Sequence, residues 1–439
     1  MTFTQNHHIH FTGIKGVGMT ALALCTQDLG ITISGSDLDE PFVTDAVLKR
    51  RRIPWQIGFA ADHLPPATSL VVYTAAHQGR QNPEVTAALN RGIPILNHAQ
   101  ALEELMQGKI GISVCGVGGK TTTSAMLSHI LDRLGAHPSF CIGVGDIASL
   151  GGPGRYDRQG QHFVAEADEY TADPTQDFMP RFNYQHPQII ICTNIEFDHP
   201  DVYRDLNHTQ TVFLDFFNHL PSGGLLLISA DSAINQSILP QLKIPYKTYS
   251  PDPHISISLP GDFNLANATA AVEAAVTLGF NHSAATAALA DFTGTKRRFE
   301  HIATINGIDL YDDYAHHPRE IQATLTAAKA KFPHHQLIVI FQPHTYSRTK
   351  ALFSEFTSSF TAADKIIFLP IYASARESPD PTVSSQKLAQ ATPNGFLAST
   401  QEDLLQYLKA QVNPPAVIFT LGAGDIFLLH DQIIAAVST

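Results

Sequence analysis

Ten consecutive residues, Val114-Cys115-Gly116-Val117-Gly118-Gly119-Lys120-Thr121-Thr122-Thr123, combine glycines, a lysine and hydroxyls in an order suited to phosphate chemistry. An apolar run at 110–115 leads in and a helical pattern over 124–134 leads out. A strand, a glycine turn and a helix N-terminus present bare backbone N–H groups and the positive end of the helix dipole to an anion. Gly116, Gly118 and Gly119 let the backbone approach, Lys120 brings a cation to the outer phosphates, and the hydroxyls of Thr121 and Thr122 lie beside them, Thr121 as a ligand for Mg²⁺. The spacing departs from the general G-x-x-x-x-G-K-[ST] form, because Val114 stands where the first glycine would fall. A ligand-free turn accounts for the glycines but supplies no packing reason for Lys-Thr-Thr. The expectation is a nucleotide site using ATP and Mg²⁺.

Other chemistry-bearing residues follow strand-like runs. The run at 163–169 delivers Glu166, Asp168 and Glu169 to its end, and the run at 189–201 delivers His199. In an open parallel sheet, strand carboxyl ends converge on the ligand crevice, so Thr121, Glu166 and His199 are expected to form the metal set. Mg²⁺ keeps waters and phosphate oxygens and needs few protein ligands. Asn264 and Asn267 are spaced i, i+3 before an Ala-rich helix; their carboxamides suit an adenine edge, or equally serve as helix caps.

A second glycine loop lies near the N-terminus. The strand-like 8–11 runs into Gly13-Ile14-Lys15-Gly16-Val17-Gly18-Met19, and a second strand ends at Gly35-Ser36-Asp37. Gly13, Gly16 and Gly18 would admit a pyrophosphate, and Ser36 and Asp37 would take ribose hydroxyls, as in Rossmann-like units. The order is G-x-x-G-x-G and not G-x-G-x-x-G, so nicotinamide binding does not follow.

These loops need sheets to hold them. At 439 residues and 44% hydrophobic content the chain is too long for one core. Strand and helix patterns alternate throughout, which predicts an α/β protein of three domains: a Rossmann-like domain at 1–108, a central parallel-sheet ATP-binding domain at 109–295 and a C-terminal Rossmann-like domain at 296–439. A net charge of −12 without a basic block argues against nucleic acid as partner. No apolar run reaches the roughly 18 residues of a membrane span, and no signal peptide is recognised, so a cytoplasmic enzyme is expected. Four cysteines without C-x-x-C spacing indicate neither a disulfide framework nor a zinc site.

In the last third, strand-like runs end in Asp312-Asp313-Tyr314-Ala315-His316-His317-Pro318, in Gln342-Pro343-His344-Thr345-Tyr346-Ser347-Arg348 and in Gly422-Ala423-Gly424-Asp425-Ile426. Together with the two glycine loops, Glu166-Ala167-Asp168-Glu169, Thr193-Asn194-Ile195-Glu196, Asp198-His199 and Arg297-Arg298-Phe299-Glu300, these segments resemble the Mur ligase family over nearly the full chain. The resemblance implies a UDP-sugar domain, an ATPase domain and an amino-acid domain. It implies ATP- and Mg²⁺-dependent formation of an amide between the lactyl carboxylate of UDP-N-acetylmuramate and L-alanine. Arg298 and Asp313 would join the ATP site, and Arg348 would hold the amino-acid carboxylate.

Several positions depart from the family pattern. Val117 and Gly118 replace a Thr-His pair, Phe263 replaces a His, Lys15 replaces a glycine, and Thr345 replaces an Arg. Lys15 would reach a UDP phosphate or point to water. Chemically, Lys120 and the loop N–H groups would stabilise the transferring γ-phosphoryl group, and an amine would then attack the acyl phosphate. His316 or His317 would relay the amine proton or merely support its loop. The rival readings are a murein-tripeptide recycling ligase on the same sugar nucleotide, an NAD(P)-dependent oxidoreductase, and a catalytically silent nucleotide-binding protein.

Overall fold

The structure is a computed structural model and describes residues 3–174, 176–373 and 377–438. The chain builds three main sheets. In the first, Gln56–Ile57, Thr32–Asp37, His8–Thr12, Leu70–Tyr73 and Ile95–Asn97 lie side by side in that order, all parallel. In the middle sheet the order is Tyr246–Tyr249, Leu225–Ser229, Ile189–Cys192, Ile110–Cys115, His162–Ala167, Ser139–Cys141 and Gly154–Arg155, parallel except for the last strand. In the third, Glu300–Ile305 pairs antiparallel with Ile308–Asp313, and Ala416–Leu421, Gln336–Phe341, Lys365–Phe368 and Gly395–Leu397 continue in parallel.

The central strands are apolar throughout because helices cover both faces of a parallel sheet. Ile189–Cys192 is buried at every position, and Val114, Cys115, Phe163 and Val164 are fully buried beside it. The helix Pro83–Asn90 starts where Asn82 accepts the Glu84 N–H and Pro83 occupies the first turn. Two helices begin earlier than the apolar periodicity predicts. One spans Lys120–Arg133, so the Thr-rich run is its buried first turn and not a loop. The other spans Asp262–Thr277, which puts Asn264 and Asn267 inside the helix and removes the cap reading.

The chain divides into two compact units. The first holds residues 1–197, 205–258 and 265–296, and includes the first and middle sheets. These two sheets share a core in which Leu24 and Cys25 pack with Cys141, Phe163 and Ala165. The second unit holds 198–204, 259–264 and 297–439, around a core including Leu310, Ile340, Ile367 and Ile418. All four cysteines are buried free thiols. Among the described residues, no helix is long and apolar enough to cross a membrane.

Candidate functional site

In the first unit, three adjacent strands bring the phosphate-type loop and the acids to one edge. Cys115 is paired with Ala167 on one side and Cys192 on the other, so Gly116–Lys120, Asp168–Glu169 and Thr193–Asn194 all emerge at the same strand ends. Gly116 and Gly119 have φ of 128° and 86°, a region that favours glycine. A Cβ on Gly116 would lie 2.1 Å from Thr193 Oγ1, and one on Gly119 would lie 2.5 Å from Asn267 Oδ1. Asn267 is therefore seated against the loop.

The Lys120 ammonium donates to the Gly116 carbonyl at 2.6 Å and pairs with Glu169 at 3.0 Å. Burial disfavours its charged form, but Glu169, with Asp168 and Glu166, outweighs burial and raises its pKa. The ammonium thus stays charged beside the loop. Glu166 accepts the Gly143 N–H at 2.9 Å, and Thr121 and Thr122 are buried in the first helical turn. Oxygen donors such as Thr121 and Glu166, beside a cradle that a Cβ would fill, fit a magnesium nucleotide. His199, the third expected ligand, has φ of 55° and belongs to the second unit, where Asp198 Oδ1 accepts its N–H at 2.7 Å.

One expected donor is corrected. The Gly118 N–H is already given to Asn194 Oδ1 at 3.0 Å, while the Gly118 carbonyl accepts from Asn194 Nδ2 at 3.0 Å and from Thr193 Oγ1 at 2.6 Å. These bonds fix the shape of the loop at Gly118. Asn194, Thr193 and Glu169 were assigned no role from sequence; the only signal was their position just beyond strand ends.

At the first sheet, Gly13 has φ of 71° and a Cβ there would meet Thr74 Cγ2 at 2.5 Å. A Cβ on Gly18 would meet His98 Nε2 at 2.7 Å, whereas Gly16 closes a turn by donating its N–H to the Gly13 carbonyl at 3.2 Å. Asp37 stays at the strand end, its carboxylate accepting from the Lys15 and Leu38 N–H groups at 2.7 and 2.8 Å. Burial raises the Asp37 pKa against those bonds. Ser36 is corrected: it is fully buried and its hydroxyl donates to Glu84, inside the sheet's helix layer. Lys15 reaches neither water nor the crevice, because it is buried and donates to the Leu38 carbonyl at 2.9 Å and to Glu40.

The second unit carries the remaining expected residues. Burial pushes the Asp313 carboxyl up to about 6, and its oxygens accept the Phe299 and Ala315 N–H groups, both at 2.8 Å. Its contacts make it a brace between the segment after residue 296 and the loop after Ile308–Asp313. Arg298 lies 3.8 Å from Glu320 and over the Tyr314 ring at 5.1 Å. Its neighbour Arg297 is the more deeply fixed, bonding Asp312 at 2.8 Å and the carbonyls of Gly422 and Gly424 at 2.6 and 3.0 Å. Asn264 donates to the Pro260 carbonyl at 2.7 Å.

His316 Nδ1 sits 2.9 Å from the Tyr314 carbonyl, a contact that assigns the N–H to Nδ1 and leaves Nε2 as acceptor. Burial, with Arg348 adding to it, lowers its pKa to about 4, so the ring is neutral at physiological pH and able to take a proton. His317 differs: its Nδ1 accepts the Arg319 N–H at 3.3 Å and caps the helix Pro318–Lys331. The Arg348 fork is taken by Asp198 at 2.7 and 3.2 Å and by the His344 carbonyl at 2.6 Å. Asp198 is held well below the usual carboxylate range; burial opposes this, and Arg348 and His199 overcome it.

A parallel-sheet unit with a lysine-bearing glycine loop, acids at the neighbouring strand ends and a second α/β unit defines a nucleotide-dependent enzyme of the multidomain α/β class. Comparison with known proteins is more specific. The Mur ligase family catalytic domain matches residues 8–110, the Mur ligase middle domain 114–254 and the Mur ligase glutamate ligase domain 297–424. A UDP-N-acetylmuramate–L-alanine ligase of Desulfitobacterium hafniense is 37% identical, covering 97% of this chain and 99% of that protein. The chain belongs to the Mur ligase family. Among solved structures, a UDP-N-acetylmuramate–alanine ligase from Thermotoga maritima superposes with a TM-score of 0.77 at 24% identity, covering 98% of each chain. A murein peptide ligase from Psychrobacter arcticus does so with a TM-score of 0.74 at 26% identity, covering 99% of each.

Proposed function

We propose that this chain joins L-alanine to the lactyl carboxylate of UDP-N-acetylmuramate, with ATP giving ADP and phosphate, in peptidoglycan precursor synthesis in the cytoplasm. The observation that carries the reading is the Lys120 ammonium, held over its glycine loop by Glu169 and the Gly116 carbonyl on a chain of this family. Domain boundaries near 108 and 295 give each substrate its own sheet: the sugar nucleotide the first, ATP the second and the amino acid the third.

Thr121 and Glu166 would hold Mg²⁺, which would supply charge neutralisation at the phosphates. Lys120 stabilises charge on the γ-phosphoryl group as the lactyl carboxylate attacks it, which converts a poor electrophile into an acyl phosphate. Asn267 lines the nucleotide pocket beside Gly119. His316 Nε2 takes the proton that the attacking amine must lose. Gly13, Gly16, Gly18 and Asp37 serve the UDP moiety.

A phosphate-release assay with ATP, Mg²⁺ and UDP-N-acetylmuramate tests the substrate directly. L-alanine, glycine, L-serine and the murein tripeptide are offered in turn, and turnover with L-alanine is expected to exceed the others. Release that depends on the tripeptide and ignores L-alanine would overturn the assignment in favour of recycling.

A further inference from the structure

A cleft of about 410 Å³ lies in the first unit away from both glycine loops, and nothing above uses it. Arg51, Arg155, Arg158, Asp28, Asp157 and Tyr156 line it. Arg51 follows the helix Asp45–Arg50, between two strands of the first sheet in the chain, whereas Arg155 ends the edge strand of the middle sheet and Arg158 lies in the loop after it. Asp28 is the last residue of the helix Val17–Asp28, so one helix length, about 17 Å at 1.5 Å per residue, separates it from the glycine loop at 13–18. The 155–159 segment precedes His162–Ala167, in which His162 pairs with Ile110 and Ala167 with Cys115. The cleft therefore sits at the amino ends of the strands whose carboxyl ends lead to Lys120 and Glu169, about 17 Å away at 3.3 Å per residue.

Three guanidiniums side by side repel one another, and an anion among them removes that cost. Each has a structural duty that uses only part of its fork. Arg51 gives Nε to Gln27 at 2.8 Å and Nη2 to Asp28. Arg155 gives Nε to the Pro138 carbonyl at 3.3 Å and Nη2 to Asp132 at 2.6 Å, and Arg158 gives Nη2 to the Leu29 carbonyl at 2.5 Å. Among the described residues, no protein group pairs with Nη1 of Arg51 or Arg155, or with Nε and Nη1 of Arg158. The carboxylates of the lining are engaged elsewhere. Asp28 also accepts the Tyr156 N–H at 3.1 Å, while Asp157 accepts the Gln159 N–H at 2.9 Å and stands 3.4 Å from His137 Nδ1. Three cations thus face two acids here, on a chain whose net charge is −12.

A phosphoryl group meets this arrangement better than a carboxylate. Its oxygens are tetrahedrally disposed and accept from donors arriving from several directions, and guanidinium forks match them bidentately. The volume lies within the range of small-molecule sites, about 300–1,000 Å³. We infer that this cleft binds a small phosphorylated metabolite, whose phosphoryl oxygens bridge Arg51 to Arg155 and Arg158. Because the bridge joins the layers of two sheets within one unit, binding raises the melting temperature. The site is separate from the proposed sugar-nucleotide and ATP sites and does not depend on what they bind.

The test titrates sodium pyrophosphate into the full-length protein by calorimetry, with saturating UDP and ADP present so that both glycine loops are filled. Further binding is expected, and the melting temperature should climb with pyrophosphate concentration. Arg158→Gln and Arg155→Gln should each weaken this binding about tenfold, the loss of one charge-assisted contact, and leave the affinities for UDP and ATP within about twofold. Lys120→Ala should leave it unchanged, because Lys120 lies beyond the other end of the strands. Malonate, a small dicarboxylate, should bind at least about tenfold more weakly. No further binding by the unaltered chain would overturn the site, as would pyrophosphate affinity unchanged in Arg158→Gln. A loss in Lys120→Ala matching that in Arg158→Gln would place the pyrophosphate at the ATP loop and overturn it equally. Malonate binding as tightly as pyrophosphate would overturn the phosphoryl assignment.

Discussion

Asn194 holds both ends of one peptide group, accepting the Gly118 N–H and donating to the Gly118 carbonyl, each at 3.0 Å. Two such bonds contribute about 1 kcal/mol each, enough to set the shape of a loop whose glycines have no conformational preference of their own. Asn194→Ala should raise the KM for ATP about tenfold while leaving the KM for the sugar nucleotide nearly unchanged. Steady-state kinetics with each substrate varied would show this, and a KM for ATP within twofold of the unaltered value would refute the role. A second residue-scale prediction concerns pH. Below pH 6.5 the unfolded chain protonates His316, but the folded chain resists until about 4, so this group loses stability as pH falls through that window. Asp313 acts oppositely: folded, it keeps its proton up to about 6, whereas unfolded it has lost it by about 4, so stability falls as pH rises between them. Each effect is on the order of 3 kcal/mol, and they offset one another in the unaltered protein. Removing one should expose the other. His316→Gln should become more stable relative to the unaltered chain as pH drops from 6.5 to 5, measured by urea denaturation, and parallel pH profiles would refute this.

Among elements, the helices Lys120–Arg133 and Asp262–Thr277 meet at one point that tolerates no side chain. Gly119 caps the first, and Asn267 of the second occupies the space where a Cβ would stand. Gly119→Ala should therefore cost about 1–3 kcal/mol in backbone strain, with a steric clash added, and should abolish detectable ATP binding. Adding Asn267→Ala should recover part of the lost melting temperature by removing the clash, but not the share due to φ of 86°. Full recovery would show that strain at Gly119 is negligible. This junction also marks how far the sequence could be read. Apolar runs ending in glycine were visible as strands because central parallel strands are buried on both faces, and the loop at 116–121 followed from residue type alone. Where the second helix begins was not, since Asp262–Asn267 has no apolar periodicity and only Gly261, with φ of 98°, marks the break. Ser36 looked like a ligand because it precedes Asp37, yet alternation along the strand turns it toward Glu84. Asn194 gave no sign of its partner, because Gly118 lies 76 residues earlier and only the sheet register brings them together.

At the scale of the whole molecule, the second unit is not a continuous piece of sequence. It takes in 198–204 and 259–264 as well as 297–439, and one of its buried ion pairs spans 150 residues. Asp198 and Arg348 are each about 5% exposed at the side chain, with the guanidinium bonded to both carboxylate oxygens. A buried pair of this kind is weak evidence for stability in itself, because desolvating two charges offsets most of their attraction. What it does supply is a penalty for separation: either partner alone is a buried, uncompensated charge. The segment carrying His199 is thereby tied to the loop carrying His344. Arg348→Met and Asp198→Leu, made singly, should each destabilise the full-length protein by about 3–5 kcal/mol. Made together they should cost much less than the sum, since two apolar side chains of suitable volume can replace the pair. A double-mutant cycle in urea would measure the coupling, and additive losses would mean that the pair does not hold the segment in place. The same contact explains why a fragment beginning at 297 should melt below the intact chain: it retains Arg348 but has left Asp198 behind.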